Sequence, residues 1–159
     1  MKILLTLLLT IIIFQTTHSQ TKVDDEKEII EKIDDWNRAW KIKDPVLAAK
    51  WYSENADFTN AFGFSMIGKA NIETYLTRVF GLDFVMAGNS QQTSLKFKKI
   101  SSNSILVITT IERMGQKTSD GKELGIRNTT HYRIFQKNDN WNIVAHLISD
   151  ARSNKTEKH

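Results

Sequence analysis

The chain of 159 residues contains no cysteine. That excludes a disulfide scaffold, a thiol nucleophile and thiolate metal sites. Charge of one sign is not in excess, since 22 Lys and Arg against 18 Asp and Glu leave a net +4. Nucleic-acid binders concentrate basic residues in a stripe. The one short basic run, Lys96-Phe97-Lys98-Lys99, reads instead as a solvated strand face over an inward Phe97. There is no internal repeat and no low-complexity block. No apolar run is long enough to cross a membrane: Ile3 to Phe14 is about a dozen residues, and a bilayer needs roughly 20.

What that short run does fit is an export leader. Lys2 supplies the positive charge and Ile3 to Phe14 the apolar segment. Thr17-His18-Ser19 then offers small residues three and one before a cut ahead of Gln20. Residues 1–19 are therefore expected to be a signal peptide, with the mature protein periplasmic or secreted. A lipoprotein anchor would need a cysteine at the cut. About 140 residues remain, the size of one ordinary domain.

Periodicity then organises the mature chain. Ile29, Ile33, Trp36 and Trp40 recur at helical spacing and predict an amphipathic helix over Asp24 to Lys43. The single proline, Pro45, follows Asp44 and restarts a helix, with Asp44 as N-cap and Pro45 at the first helical position. That second helix is expected to reach about Ser53. A short strand at Ala56 to Ala61 turns through Phe62-Gly63-Phe64 into Ser65-Met66-Ile67. A third helix opens at Gly68 and closes near Phe80-Gly81. Beyond Gly88 the period becomes two, with strands expected at Gln91–Ile100, Ile105–Met114, Gly125–Gln136 and Trp141–Ser149. The residues from 151 on are a polar tail. Helices followed by a meander of strands indicate an α+β domain over 24–150.

The sequence also resembles the nuclear transport factor 2-like superfamily, and within it the SnoaL-like proteins of the SgcJ/EcaC type. The residues that carry the likeness are Trp36, Trp40, Asp44 and Tyr52-Ser53-Glu54-Asn55-Ala56-Asp57-Phe58. Asn60, Gly63, Gly68-Lys69-Ala70-Asn71-Ile72 and Trp141-Asn142-Ile143-Val144-Ala145 extend it. The resemblance implies a cone, in which three helices and a small hairpin pack on a curved antiparallel sheet around a cavity. It also implies dimerisation through the outer face of that sheet. Function is not implied, because this cone hosts isomerases, cyclases, dehydratases and non-catalytic modules.

The last hairpin can be read in register. A two-residue turn at Asn138-Asp139 pairs Tyr132 with Ala145 and Ile134 with Ile143. The apolar face (Tyr132, Ile134, Trp141, Ile143, Leu147) is then expected to press on the helices. The polar face, with His131, Arg133 and His146, is expected to point outward as a dimer face. A three-residue loop would shift this register by one. Two histidines are too few for zinc, so no metal is expected. No cofactor is expected either, since the glycines form no phosphate loop.

Asp57 is the candidate catalytic base on the resemblance, although strand alternation turns it away from the inward Phe58 and Asn60. The candidate ligand-binding residues are Trp36, Trp40, Tyr52, Asn60 and Tyr132. Each joins an apolar body to a polar group or belongs to the expected inner face. Three readings stay open: a module binding a small, largely apolar molecule, a cofactor-independent enzyme using Asp57 or a histidine as base, and a homodimeric scaffold.

Overall fold

The apolar stripe of the first helix is the natural starting point. In the computed structural model, which describes residues 23–151, helix α1 spans 23–42. It buries Ile29, Ile33, Trp36 and Ala39, one per turn, against the sheet. The leader proposed for residues 1–19 and all but the first residue of the expected tail lie outside the described residues. Lys43 takes a left-handed φ of 60° and breaks the helix. Helix α2 (Pro45–Ala49) starts as its sequence predicts, with Asp44 Oδ1 accepting from Leu47 N at 2.9 Å. It stops sooner than expected because the chain joins the sheet there. Trp51 O accepts from Ile143 N at 2.8 Å, and Tyr52 pairs with Ile143.

Strand β1 (Tyr52–Thr59) hairpins into β2 (Ser65–Ile67), and α3 (Lys69–Phe80) follows with Ile72, Leu76 and Phe80 buried. A single-turn helix α4 (Asp83–Met86) comes next, with no counterpart in the sequence expectation. The long strands are β3 (Asn89–Ser101), β4 (Ser104–Met114), β5 (Arg127–Lys137) and β6 (Trp141–Ala151). All six strands form one curved sheet in the order β2-β1-β6-β5-β4-β3, with β1 parallel to β6. The small hairpin is thus not a separate insert but one edge of the sheet, and the α+β cone is as expected.

The register of the last hairpin departs from the two-residue turn. Lys137 pairs with Trp141 across a three-residue loop, and Phe135 pairs with Ile143. A bulge then slips the register once more, so that Ile134 pairs with Ala145 and Arg133 with His146. Each slip of one residue exchanges the two faces of a strand. The result reverses the expected orientation. His131, Arg133 and His146 are 6%, 0% and 2% exposed and face the helices, while Tyr132 and Leu147 are 39% and 49% exposed outside.

Gly88 sits at the start of β3 with φ 77°, and a Cβ there would fall 1.9 Å from Met114 O. Gly63, at the tip of the β1–β2 hairpin, has φ 85° but open space around it. Gly63→Ala is expected to cost about 1–2 kcal/mol from the left-handed backbone alone. Gly88→Ala must also displace backbone, adding roughly 2 kcal/mol or more. Denaturant midpoints of the two variants measure the difference, and equal losses would contradict the close approach.

Candidate functional site

One end of the cone is filled and the other is hollow. Trp141, Phe135, Tyr52 and Phe58 close the filled end with almost no exposed area. Toward the other end a cavity of about 760 Å³ opens between α1, α4 and the concave face of β4, β5 and β6. Its apolar wall includes Trp36, Trp40, Phe58, Val79, Ile111 and Ile148. Its polar wall is built from Arg113, Gln116, Arg127, Thr129, His131 and Asp150, on or just beyond the ends of the three strands. The segment between β4 and β5 folds back over the opening, with Thr118 N donating to Lys122 O at 2.8 Å and Leu124 N to Gln116 O at 2.8 Å.

Behind the polar wall lies a buried chain of hydrogen bonds. Arg133 Nη2 is 3.1 Å from His131 Nδ1, and a guanidinium can only donate. His131 Nδ1 is therefore an acceptor and carries no proton. His146 Nε2, 3.0 Å from the same atom, must donate to it. That leaves His146 Nδ1 to accept from the Tyr52 hydroxyl at 2.5 Å. By the same logic His131 holds its proton on Nε2, within 3.3 Å of Thr129 Oγ1 at the cavity wall. One arginine thus fixes both tautomers.

The electrostatics follow from burial. Desolvation, reinforced by the Arg133 charge, holds both His131 and His146 well below the ordinary histidine range. Burial pushes the Tyr52 hydroxyl above its ordinary value, so it keeps its proton. Arg133 itself is drawn down to about 10 by desolvation and remains charged at neutral pH. No carboxylate among the described residues is in contact with it. Its bonds go to Thr109 Oγ1 at 2.9 Å and to His131, and its charge lies 5.4 Å from the Trp36 ring. Nearer the opening, Arg127 grips Asp150 Oδ2 at 2.6 Å and Gln116 Oε1 at 2.8 Å. Gln116 in turn donates to Val85 O of α4 at 2.8 Å, which ties the short helix over the cavity.

Only part of the sequence expectation meets here. Trp36 and Trp40 line the cavity as anticipated. Asn60 lines it too, but its amide serves the hairpin: Oδ1 accepts from Phe62 N at 2.8 Å and Phe64 N at 3.1 Å, and Nδ2 donates to Tyr75 at 2.7 Å. Tyr52 stands one layer back, behind His146. Tyr132 is on the outer face, and so is exposed Asp57, which pairs with Ile67 at the sheet edge. His131, Arg133 and His146, expected on a dimer face, form the inner network instead, because the loop and bulge turned their face inward. The sequence reading passed over Arg113, Gln116, Thr129 and Asp150 as site residues. Period-two alternation with Ile111 on β4 and with His131 on β5 is the signal that could have found Arg113 and Thr129. No cluster of three or more metal-ligating side chains occurs among the described residues.

No protein-family model and no curated protein sequence matches the chain. Solved structures do match. An uncharacterised protein with a cystatin-like fold from Caulobacter vibrioides aligns with a TM-score of 0.73 and 14% identity, over 82% of this chain and 92% of that one. A proposed scytalone dehydratase from Novosphingobium aromaticivorans aligns at 0.67 and 14%, over 84% and 89%. An NTF-2-like protein of unknown function from Shewanella oneidensis aligns at 0.62 and 15%, over 79% and 98%. At such identities the likeness concerns the fold alone, which is the cystatin-like, nuclear transport factor 2-like cone.

Proposed function

We propose that the cone binds a small, largely apolar molecule in its open end. The observation that carries this reading is the cavity itself. About 760 Å³ of space behind two tryptophans, with polar groups gathered on one wall, is the form small-molecule sites take. A scaffold with no ligand would gain stability by filling that volume with side chains. The SnoaL-like, SgcJ/EcaC-type resemblance and the leader at residues 1–19 support an exported protein of this kind. The outer sheet face supports a homodimer: one row across the strands runs Asp57, Ala145, Ile134, Leu106, Lys98. Two such faces related by a twofold axis along the strands would set Asp57 of each against Lys98 of the other.

Native mass spectrometry of the full-length chain, expressed with export and purified without denaturation, tests all three parts. The expected spectrum is a dimer of chains beginning at Gln20 with a retained small organic molecule. An empty protein that binds nothing from a small-molecule extract of its host would sink the ligand reading. A monomer mass, or an uncut leader, would sink the others.

The buried chain favours a second reading, a cofactor-independent acid–base enzyme. His131 stays neutral and presents Nε2–H toward the cavity, so it can hydrogen-bond a developing oxyanion as an uncharged donor. It is a poor proton supplier, because the chain behind it ends on a tyrosine that holds its proton. Asp150, on the same wall, is then the group to accept a proton from carbon, a role exposed Asp57 cannot reach. If the retained molecule fails to exchange an acidic C–H for deuterium in the protein's presence, that reading ends.

A further inference from the structure

The charged groups around the cavity do not balance. Its lining carries Arg113, Arg127, Lys117 and Lys122 against Asp150 and Glu123. Arg127 already bonds Asp150 and Gln116 at 2.6 and 2.8 Å. Arg113 is different. It forms no ion pair with any described residue: its Nη2 reaches Val85 O at a long 3.4 Å, and its guanidinium lies 4.7 Å from the Trp40 ring centre. The loss of water, and after it the field of the neighbouring Arg127, pull it down to about 10, only partly offset by Asp150, and it remains a cation at neutral pH.

A guanidinium taken from water normally keeps an anion or several acceptors. Here it is half-buried on the cavity wall, with its guanidinium carbon 4.7 Å from the centre of the Trp40 ring. The charge behind the wall has the same sign, since Arg133 is buried with its bonds going to Thr109 and His131 and no carboxylate among the described residues in contact. His131 on the same wall adds no negative charge, since its Nε2–H lies 3.3 Å from Thr129 Oγ1 and its ring stays neutral. The hollow end of the cone thus carries four cationic side chains against two carboxylates, and Trp36 and Trp40 stand beside it with ring centroids 6.0 Å apart.

We infer that the natural ligand is an organic anion, a flat apolar acid whose carboxylate docks on Arg113 while its ring system lies against Trp36 and Trp40. This rests on the ligand-binding reading above and narrows it to a chemical class. A fork-to-fork pair between Arg113 and a carboxylate would give that side chain an ion-pair partner, with geometry that a lysine could not reproduce.

Calorimetry with 2-naphthoate and its uncharged isostere 2-naphthamide tests this on the intact mature protein. The acid is expected to bind about tenfold or more tightly than the amide, the usual worth of one charge-assisted pair. Arg113→Met keeps the aliphatic stem, and in it the preference for the acid should vanish while the amide still binds. Arg78→Gln, exposed on α3 and away from the cavity lining, should leave both affinities unchanged. Equal binding of acid and amide to the wild type overturns the inference, and leaves the cavity reading standing. Retention of the acid preference in a folded Arg113→Met variant overturns it too. If that variant does not fold, Arg113→Lys decides: an acid preference undiminished there would show that no paired fork is used. Binding of neither probe by the wild type removes the cavity reading and the inference together.

Discussion

Between pH 7 and pH 5 the folded protein is expected to lose about 2–4 kcal/mol of stability through two histidines alone. His131 and His146 are neutral and buried in the folded state, both held well below their ordinary value of 6.5. In the unfolded chain they titrate near that ordinary value. As the pH falls through 6.5 the unfolded state takes up two protons that the folded state refuses, so acid favours unfolding. The stabilisation is fully present above 6.5 and declines as the pH drops toward the depressed folded values. Each group contributes up to about 1.4 kcal/mol per pH unit in that window.

The carboxylates do not confuse this range. Asp25 and Asp35 have folded values below an ordinary 3.8, so their contribution is lost only at still lower pH. Urea unfolding at pH 7, 6 and 5 measures the slope. In a His131→Asn, His146→Asn double variant the slope should flatten, whatever the absolute stability. Arg133→Met should flatten it partway, because it removes the positive charge but not the burial. A wild-type midpoint unchanged from pH 7 to pH 5 would show that the two imidazoles are not buried as neutral donors and acceptors.

Replacing Trp36 by alanine is expected to cost about 3–5 kcal/mol, the range for deleting a large buried aromatic. Trp36 is the hinge between the filled and hollow ends of the cone. Its ring lies 5.2 Å from His146, 6.0 Å from Trp40, 6.1 Å from Tyr52 and 6.3 Å from Phe58 by ring centroids. The Arg133 guanidinium is 5.4 Å from it. Truncation therefore removes packing, one wall of the cavity and a screen between a buried charge and the apolar core. Tyr132→Ala is the control. That side chain is on the outer face of the sheet, and its removal should cost well under 1 kcal/mol in the monomer, measured at concentrations too low for chains to pair. Guanidinium titrations of the two variants give the comparison directly, and similar losses would mean that the sheet faces are assigned the wrong way round.

Much of the fold was legible in the sequence because it depends on local patterns. The stripe Ile29, Ile33, Trp36 and Trp40 specifies a helix wherever it docks. Asp44-Pro45 starts a helix through its own hydrogen bond, and Gly68 precedes another. The alternation of β4, with Ile105, Val107 and Ile111 buried, is strong enough to identify a strand. Helix α4 was missed because four residues give no period to read. The early end of α2 was missed because it is set by Trp51 and Tyr52 meeting Ile143, more than ninety positions away.

The site was less legible, and His131, Arg133 and His146 show why. Their residue types already suggested chemistry, and their strands were identified correctly. Which way they point was decided by a third loop residue and one bulge beside Ala145, each of which exchanges a polar face for an apolar one. A rule that sends apolar residues inward chooses Tyr132 and Leu147, and it fails where a cone keeps polar groups inside. The sequence by itself determined the elements, their order, and the aromatic stripe against which a ligand can lie, since these follow from spacing along the chain. Only the tertiary structure decided that two histidines and an arginine face inward and that Arg113 forms no ion pair with a described residue, because register and pairing are properties of strands already side by side.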